Sequence, residues 1–223
     1  RRQRQMCIRD SSMIEPLRVA NEISNSNVFK WQLLSEDGLP ITASAAITFD
    51  VAAALSIKSV PQYLVFLSPP KSNFQNTQSL SRLRHLSRHG CVLCSVSGGV
   101  FPLARTKLAA QVPLSVHWCY QAAFEREFPD YLLSNRIIEI SSSFVTASGS
   151  AGGFEVALNL IENRLGSNVS TEVACWFQHP MMRKTNVSQI TPLPNDSSTK
   201  EKLPELVNDA IDLMQKHISE PLR

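Results

Sequence analysis

The segment Gln62–Leu67, of sequence QYLVFL, constrains the fold more than any other part of this chain. Pro61 precedes this apolar run and Pro69–Pro70 follows it closely, so the run has the length of a strand and cannot continue as a helix. A strand that is apolar at every position is typical of a sheet covered on both faces. We therefore expect a mainly parallel sheet with helices on both sides.

Helical and strand patterns alternate along most of the chain, as in other α/β domains. Thr77–His89 has leucines at helical spacing and is followed by Gly90, a typical helix C-terminal cap. A first helix is predicted from Ser12, with Ser11 or Ser12 as its N-cap. Four further helices are predicted at Gly99–Lys107, Tyr120–Phe128, Ala151–Leu165 and Ser170–Gln178. Predicted strands are Phe29–Leu34, Ala45–Phe49, Cys91–Val96, Val116–Trp118 and a hairpin of Arg136–Ile140 with Ser143–Ala147.

The first ten residues carry the whole formal net charge of +3, and the remaining residues are neutral in sum. No basic nucleic-acid face is therefore expected on the body of the molecule. Residues 1–11 have no apolar periodicity and resemble a translated sequencing adapter, so we expect them to be non-native. A native basic arm is the alternative.

Cysteines and apolar stretches exclude several classes of protein. Five scattered cysteines do not suggest a disulfide framework. Cys91 and Cys94 have metal or redox spacing, but in a buried strand they point to opposite faces, so no metal site is expected. The longest uncharged stretch, Leu108–Phe124, is interrupted by Pro113 and is shorter than the roughly 20 apolar residues of a membrane span. We expect no membrane segment and a cytoplasmic location.

The composition changes near the end of the chain. Arg183–Lys202 is polar, contains two prolines and has no periodicity, which predicts a linker. A last helix begins at Pro204 and ends with the sequence. Because one helix cannot form a domain, we expect the sequence to stop inside a second domain.

Cys91–Leu103, of sequence CVLCSVSGGVFPL, carries the most informative pattern for chemistry. An apolar strand leads into Ser97-Gly98-Gly99 and then into a helix, as in a nucleophile elbow that exposes one side chain above the carboxyl edge of a sheet. Ligands of open parallel sheets bind at that edge. A tight turn whose glycines serve only the close passage from strand to helix is the alternative.

Two other segments can supply polar groups to the same edge. A glycine-containing turn with Ser148, Gly149 and Ser150 leads from a strand into a helix, and its backbone N–H groups can bind a carboxylate or phosphate. A helix cap with glycines for close packing is the alternative there. His117 ends a strand and can reach the edge, or it is a structural histidine bonded to backbone.

Several short motifs occur in an order that resembles a known family. They are Ile14–Asn21 (IEPLRVAN), Trp31–Ser35 with Asp37–Gly38, Ser97–Phe101 with Leu103–Ala104, Val116–Trp118, Ala122–Pro129 and Ser148–Ala151. Together, residues 12–182 resemble the amino-terminal sensor domain of AraC-type transcriptional regulators with a ThiJ/PfpI, or class I glutamine amidotransferase-like, fold. Residues 203–223 resemble the first helix of that family's helix-turn-helix domain.

The resemblance implies a flavodoxin-like α/β three-layer sandwich with a mainly parallel sheet, followed by the linker at 183–202 and a truncated helix-turn-helix domain. The first strand of that fold should precede Glu15, where residues 1–11 stand, so we expect the strand to be missing. Glu15 lies near the start of the first helix, where an acid also simply favours the helix dipole.

The resemblance also implies a sensor of a small polar metabolite of the amino acid or quaternary amine type. Ser97 and the backbone of Gly98 and Gly99 are expected to form the floor of the pocket, with His117 and Glu15 as walls. No cofactor is expected. Effector binding is expected to shift a homodimer between states and reposition helix-turn-helix units on DNA, although this chain carries no DNA-binding residues itself.

Catalytic relatives carry a cysteine at the elbow, where this chain has Ser97, and a histidine next, where it has Gly98. A serine hydroxyl without a base is a poor nucleophile, so no enzyme activity is expected. The alternative is a ThiJ/PfpI-type hydrolase or amidase with Ser97 as nucleophile and His117 as base. A glutamine amidotransferase subunit is a third hypothesis, disfavoured by the absent cysteine.

Overall fold

The structure, a computed structural model, describes residues 7–43, 46–55, 59–179 and 187–191 together with Leu213, and residues 7–10 by their backbone alone. The chain divides into two compact units, Arg1–Gln189 and Ile190–Arg223. Residues 1–6, most of the predicted linker and the predicted last helix, apart from Leu213, lie outside the described residues. In the described ranges, no helix combines the length and the apolar character that crossing a membrane requires.

Helices and strands alternate along the first unit. The helices are α1 (Cys7–Ile23), α2 (Thr77–Arg88), α3 (Val100–Arg105), α4 (Gln121–Glu127), α5 (Ser150–Leu165) and α6 (Ser167–Trp176). The strands are β1 (Leu34–Ser35), β2 (Ile41–Thr42), β3 (Thr48–Phe49), β4 (Ala53–Ala54), β5 (Tyr63–Leu67), β6 (Val92–Val96), β7 (Leu114–Ser115), β8 (Leu133–Ser134), β9 (Ile138–Ile140) and β10 (Phe144–Ala147).

The main sheet has four strands in the order β5-β6-β10-β9. β5 and β10 both run parallel to β6, and β9 runs antiparallel to β10 as the second half of the predicted hairpin. Three short pairs lie outside this sheet: β1 with β4 and β7 with β8 in parallel, and β2 with β3 antiparallel. The run at Gln62–Leu67 therefore forms the predicted strand of a mainly parallel sheet. It lies at the edge of the four described strands, however, and its residues are exposed or half-buried, not buried on both faces as expected.

Hydrophobic cores lie on both faces of the main sheet. On one face, Leu93 of β6 belongs to a cluster with Leu83 of α2 and Phe101 of α3. On the other face, neighbouring β6 residues cluster with Met13 of α1 and Val156 of α5. A third cluster joins α1, α5 and α6. The expected three-layer α/β sandwich is confirmed.

The start of α1 differs from the prediction. The helix begins at Cys7, so neither Ser11 nor Ser12 is its N-cap. Ser12 Oγ instead donates a hydrogen bond to the carbonyl oxygen of Ser150 in α5, at 3.3 Å, and so joins two helices. Residues 7–14, directly before Glu15, are helical, so the described chain places no strand there. Whether residues 1–11 are native stays a prediction.

The strands predicted at Phe29–Leu34 and Val116–Trp118 also differ from those in the structure. Only Leu34 of the first segment is in β1, and at its other end the backbone of Phe29 pairs with the side chain of Asn21. Asn21 Nδ2 donates to the Phe29 carbonyl oxygen at 2.8 Å, and the Phe29 N–H donates to Asn21 Oδ1 at 2.9 Å. In the second segment the strand is Leu114–Ser115, and Trp118 begins a 3₁₀ turn.

The two hydrogen bonds between Asn21 and the Phe29 backbone, which we call the Asn21 clamp, generate a prediction about stability. Asn21→Ala removes both hydrogen bonds and leaves the Phe29 backbone without these partners, so we expect it to lower the free energy of unfolding by about 1–3 kcal/mol. Urea denaturation measures the change. Asn163→Ala is the matched control, because Asn163 is exposed and bonds only to Asn159 of its own helix among the described contacts. Equal losses in the two variants would contradict the clamp.

Candidate functional site

Ser97 occupies a turn with the geometry of a nucleophile elbow. β6 leads directly into a 3₁₀ turn at Ser97–Gly99, and α3 follows at Val100. Ser97 has φ of +54°, in the left-handed region that residues with a side chain rarely adopt. The side chain is 5% exposed. The predicted passage from strand through serine to helix is therefore present, with Ser97 held in a strained conformation.

The two glycines after Ser97 are needed for close packing. A Cβ atom on Gly99 would lie 2.0 Å from the carbonyl oxygen of Phe66. A Cβ atom on Gly98 would lie 2.6 Å from Pro70 Cδ and 2.7 Å from the carbonyl oxygen of Ser68. The turn thus rests on the end of β5, as the alternative interpretation proposed. That the backbone of Gly98 and Gly99 also forms a pocket floor stays a prediction.

Strand register places three serines at the carboxyl edge of the main sheet. Val96 of β6 is in register with Ala147 of β10, and the residues that follow them are Ser97 and Ser148. Val96 is also in register with Leu67 of β5, so Ser68 follows on the other side. We call Ser68, Ser97 and Ser148 the serine row. This is the edge at which ligands of parallel sheets bind.

His117 lies against the turn that follows β10. A Cβ atom on Gly149 would be 3.6 Å from His117 Cδ2, in van der Waals contact with the ring. His117 is the N-cap of the 3₁₀ turn Trp118–Tyr120, since its Nδ1 accepts a hydrogen bond from the Cys119 N–H at 3.3 Å. Cys119 Sγ lies 2.9 Å from the same nitrogen. The structural role that the sequence left open for His117 is therefore present.

Aromatic rings connect His117 to the elbow. The ring centroid of Tyr120 lies 5.8 Å from that of His117 and 6.1 Å from that of Phe101 in α3. The ring of Trp118 lies 5.3 Å from His117 and is 41% exposed. We call His117, Trp118 and Tyr120 the aromatic turn. The structure thus brings the elbow helix, the aromatic turn and the Gly149 turn into one region.

The N-terminus of α5 completes this region. Gly149 is its N-cap and has no side chain to cap the first turn. Ser148 is buried, and its N–H donates to the carbonyl oxygen of Ile137 at 2.9 Å. The backbone N–H groups at the start of a long helix favour anions. Binding of a ligand by Ser148, Gly149 or Ser150 stays a prediction.

Glu15 has a partner in its own helix. Its Oε2 is 2.9 Å from Arg18 Nε, and Arg18 also contacts Glu22 at 2.9 Å. The Glu15 side chain is 45% exposed. This arrangement corresponds to a surface ion pair at helical spacing. It gives no support to Glu15 as a pocket wall, and that assignment stays a prediction.

The structure identifies polar residues that the sequence did not single out. Ser95 Oγ is buried in the middle of β6 and has no hydrogen-bond partner among the described residues. Gln189 bonds to the backbone on both sides of His117, at Val116 and Trp118. Ser95 could have been found as the polar residue inside an apolar strand. No signal in the sequence marks Gln189, because its partners are more than 70 residues away.

Cys91 and Cys94 lie in separate cores, on opposite faces of the main sheet, as predicted. Burial raises the pKa of the Cys91 thiol to about 11 and raises the pKa of the Cys94 thiol further. Both thiols are therefore protonated at neutral pH. A protonated thiol is a poor nucleophile and metal ligand.

A groove of about 510 Å³ opens elsewhere on the first unit. None of the predicted site residues lines it; the lining residues are Pro113, Gln121, Leu133, Ser134, Asn135, Arg136 and Glu139. Its charged side chains are already paired, with Arg136 Nη1 3.4 Å from Glu139 Oε1. The serine row and the aromatic turn, not this groove, combine the predicted binding groups.

Comparison with known proteins relates the chain to transcriptional regulators. No protein-family model matches the chain. The chain is 28% identical over 214 residues to the HTH-type transcriptional regulator GbdR of Pseudomonas aeruginosa. The aligned region covers 95% of this chain and 57% of the regulator. The chain spans between 53% and 62% of the length of these curated relatives. Its homologues are HTH-type transcriptional regulators.

Solved structures confirm the fold. An AraC family transcriptional regulator from Pseudomonas putida superposes with a TM-score of 0.67 at 18% identity, covering 79% of this chain and 95% of that one. A ThiJ/PfpI family protein from Pseudomonas syringae superposes with a TM-score of 0.64 at 11% identity, covering 95% of this chain and 83% of that one. The resemblance to AraC-type regulators with a ThiJ/PfpI fold is confirmed.

The contact between Gly99 and Phe66 generates a prediction. Gly99→Ala forces a methyl group against a backbone carbonyl, so we expect the free energy of unfolding to fall by about 3 kcal/mol or more. Gly90→Ala is the control: Gly90 has φ of +86° but open space around its Cβ position, so strain alone costs about 1–2 kcal/mol. Urea denaturation compares them. A Gly99 variant as stable as the Gly90 variant would contradict the close packing.

Proposed function

We propose that this chain is the ligand-sensing part of an AraC-type transcriptional regulator. Its effector is a small polar metabolite of the amino acid or quaternary amine type, bound at the carboxyl edge of the main sheet. The observation that carries the proposal is the register of Val96 with Ala147, because it sets Ser97 beside Ser148. The ring of His117 lies close to Gly149, where an added Cβ atom would be 3.6 Å from His117 Cδ2.

The groups at this edge suit a ligand with an ammonium and a carboxylate. Serine hydroxyls and the N–H groups at the start of α5 can donate hydrogen bonds to a carboxylate. A quaternary ammonium has no N–H to donate and is recognised instead by aromatic faces. Trp118 and Tyr120 of the aromatic turn supply such faces next to His117.

Sensing without catalysis agrees with the chemistry of the elbow. Ser97 stands where catalytic relatives carry a cysteine, and Gly98 stands where they carry a histidine. Nδ1 of His117 is bonded within its own turn. The second candidate function is a hydrolase or amidase with Ser97 as nucleophile and His117 as base; the left-handed conformation of Ser97, typical of an elbow nucleophile, favours it.

The same proposal covers the rest of the regulator. A cytoplasmic homodimer would bind the effector, and helix-turn-helix units would bind DNA, the first of their helices being residues 203–223. The polar segment at 183–202 would connect the two parts. The similarity to HTH-type regulators supports this arrangement.

Calorimetric titration tests the proposed binding site with two probes, trimethylglycine and L-alanine. We expect at least one probe to bind, and both Ser97→Ala and His117→Ala to weaken its affinity about tenfold, the loss of one hydrogen bond to a charged group or one cation–π contact. Ser142→Ala is the control, since Ser142 is exposed in the β9–β10 turn.

Turnover separates the two candidate functions. We expect no hydrolysis of p-nitrophenyl acetate or of simple amides above the rate of the Ser97→Ala variant. Hydrolysis by the unsubstituted chain that Ser97→Ala abolishes, with probe binding unchanged, would reject the sensor in favour of the hydrolase. Absence of binding by either probe would contradict the proposed ligand class.

A further inference from the structure

Val187–Gln189 is bonded to the first unit, although it lies in the segment whose sequence predicts a linker. The Ile137 N–H donates to the Val187 carbonyl oxygen at 2.8 Å, and the Gln189 N–H donates to the Asn135 carbonyl oxygen at 2.7 Å. Ser188 forms an antiparallel bridge with Arg136. This short segment therefore extends the edge that leads into β9.

The side chain of Gln189 reaches further, to the aromatic turn. Its Nε2 donates to the Val116 carbonyl oxygen at 2.8 Å, and its Oε1 accepts from the Trp118 N–H at 3.0 Å. The primary amide thus pairs with the backbone on both sides of His117, as a neighbouring strand would. Gln189 is half-buried, whereas the other residues of 187–191 are exposed.

A second contact ties the chain just before the aromatic turn to the chain at Arg136. Ser115 Oγ donates to the Arg136 carbonyl oxygen at 2.6 Å and lies 3.1 Å from that of Ile137. The backbone at Arg136 is therefore held by Ser115 on one side and by Ser188 on the other. A movement of the chain between Ser115 and Trp118 must change these bonds or move Val187–Gln189 with it.

We infer that Gln189 couples the aromatic turn to the segment that leaves the first unit. His117 caps the turn whose first N–H is bonded to Gln189, so a ligand that displaces His117 changes the bonds that hold Gln189. Gln189 is thus a positioning residue that transmits occupancy of the ligand site. The ligand in this inference rests on the proposed function, but the coupling is a property of the chain itself.

Amide hydrogen exchange of the 223-residue chain, resolved by NMR, tests the coupling without a ligand. Gln189→Ala should accelerate exchange of the Trp118 and Ile137 amides about tenfold. Gln178→Ala, which removes a glutamine just after α6 whose described side-chain bond is to the carbonyl oxygen of Cys175, should leave both unchanged. Exchange at Trp118 within twofold of the unsubstituted rate in Gln189→Ala overturns the inference.

The reciprocal variant tests the direction from site to segment. His117→Ala removes the cap and should accelerate exchange of the Gln189 and Ile137 amides at least fivefold. His117→Asn restores an acceptor for the Cys119 N–H and should return exchange toward the unsubstituted rate. His89→Ala, at the C-cap of α2, is the control, because the His89 ring bonds to His85 of that helix. Unchanged exchange at Gln189 and Ile137 in a folded His117→Ala variant overturns the inference.

Trimethylglycine as a probe separates this inference from the proposed function. If trimethylglycine binds, saturation with it should change amide exchange at Ile137 and Gln189. Because coupling between two sites is reciprocal, Gln189→Ala should also change the affinity of the chain for trimethylglycine. Binding without either change overturns the inference. If neither trimethylglycine nor L-alanine binds, the proposed ligand class fails, and the exchange of the Gln189 and His117 variants still decides the coupling.

Discussion

The backbone of Gly99 lies so close to the carbonyl group of Phe66 that no side chain fits between them. This contact joins the end of β6 to the end of β5 and sets where α3 begins. Because Gly98 also packs closely on Ser68 and Pro70, the turn cannot relax away from β5 without losing both contacts. The left-handed conformation of Ser97 is the local cost of turning the chain within three residues.

The candidate site follows from that constraint. Because Leu67 of β5 and Ala147 of β10 are both in register with Val96 of β6, the residues that follow them, Ser68, Ser148 and Ser97, lie at one edge of the sheet. The aromatic turn packs on α3 beside this edge, through the rings of Tyr120 and Phe101. His117 caps its turn and lies close to Gly149, so one residue links local structure to the region where we propose that ligand binds.

Local patterns in the sequence predicted the sheet and the elbow because their causes are local. The apolar run at Gln62–Leu67 and the Ser97-Gly98-Gly99 turn each carry their signal within a few residues. The contacts of Asn21 with Phe29 and the contacts of Gln189 could not be predicted in this way. They depend on side-chain amides, of Asn21 and of Gln189, that pair with backbone of other segments, and no periodicity records such a partner.

Ligand binding beside Trp118 is the central claim of this account. The chain has three tryptophans, and replacing Trp31 and Trp176 with phenylalanine leaves Trp118 as the fluorescent reporter of the aromatic turn. Titration of that variant with trimethylglycine and with L-alanine should give a saturable change in tryptophan emission for at least one of them. Emission that stays constant up to millimolar concentrations of both, in a folded variant, would contradict the claim.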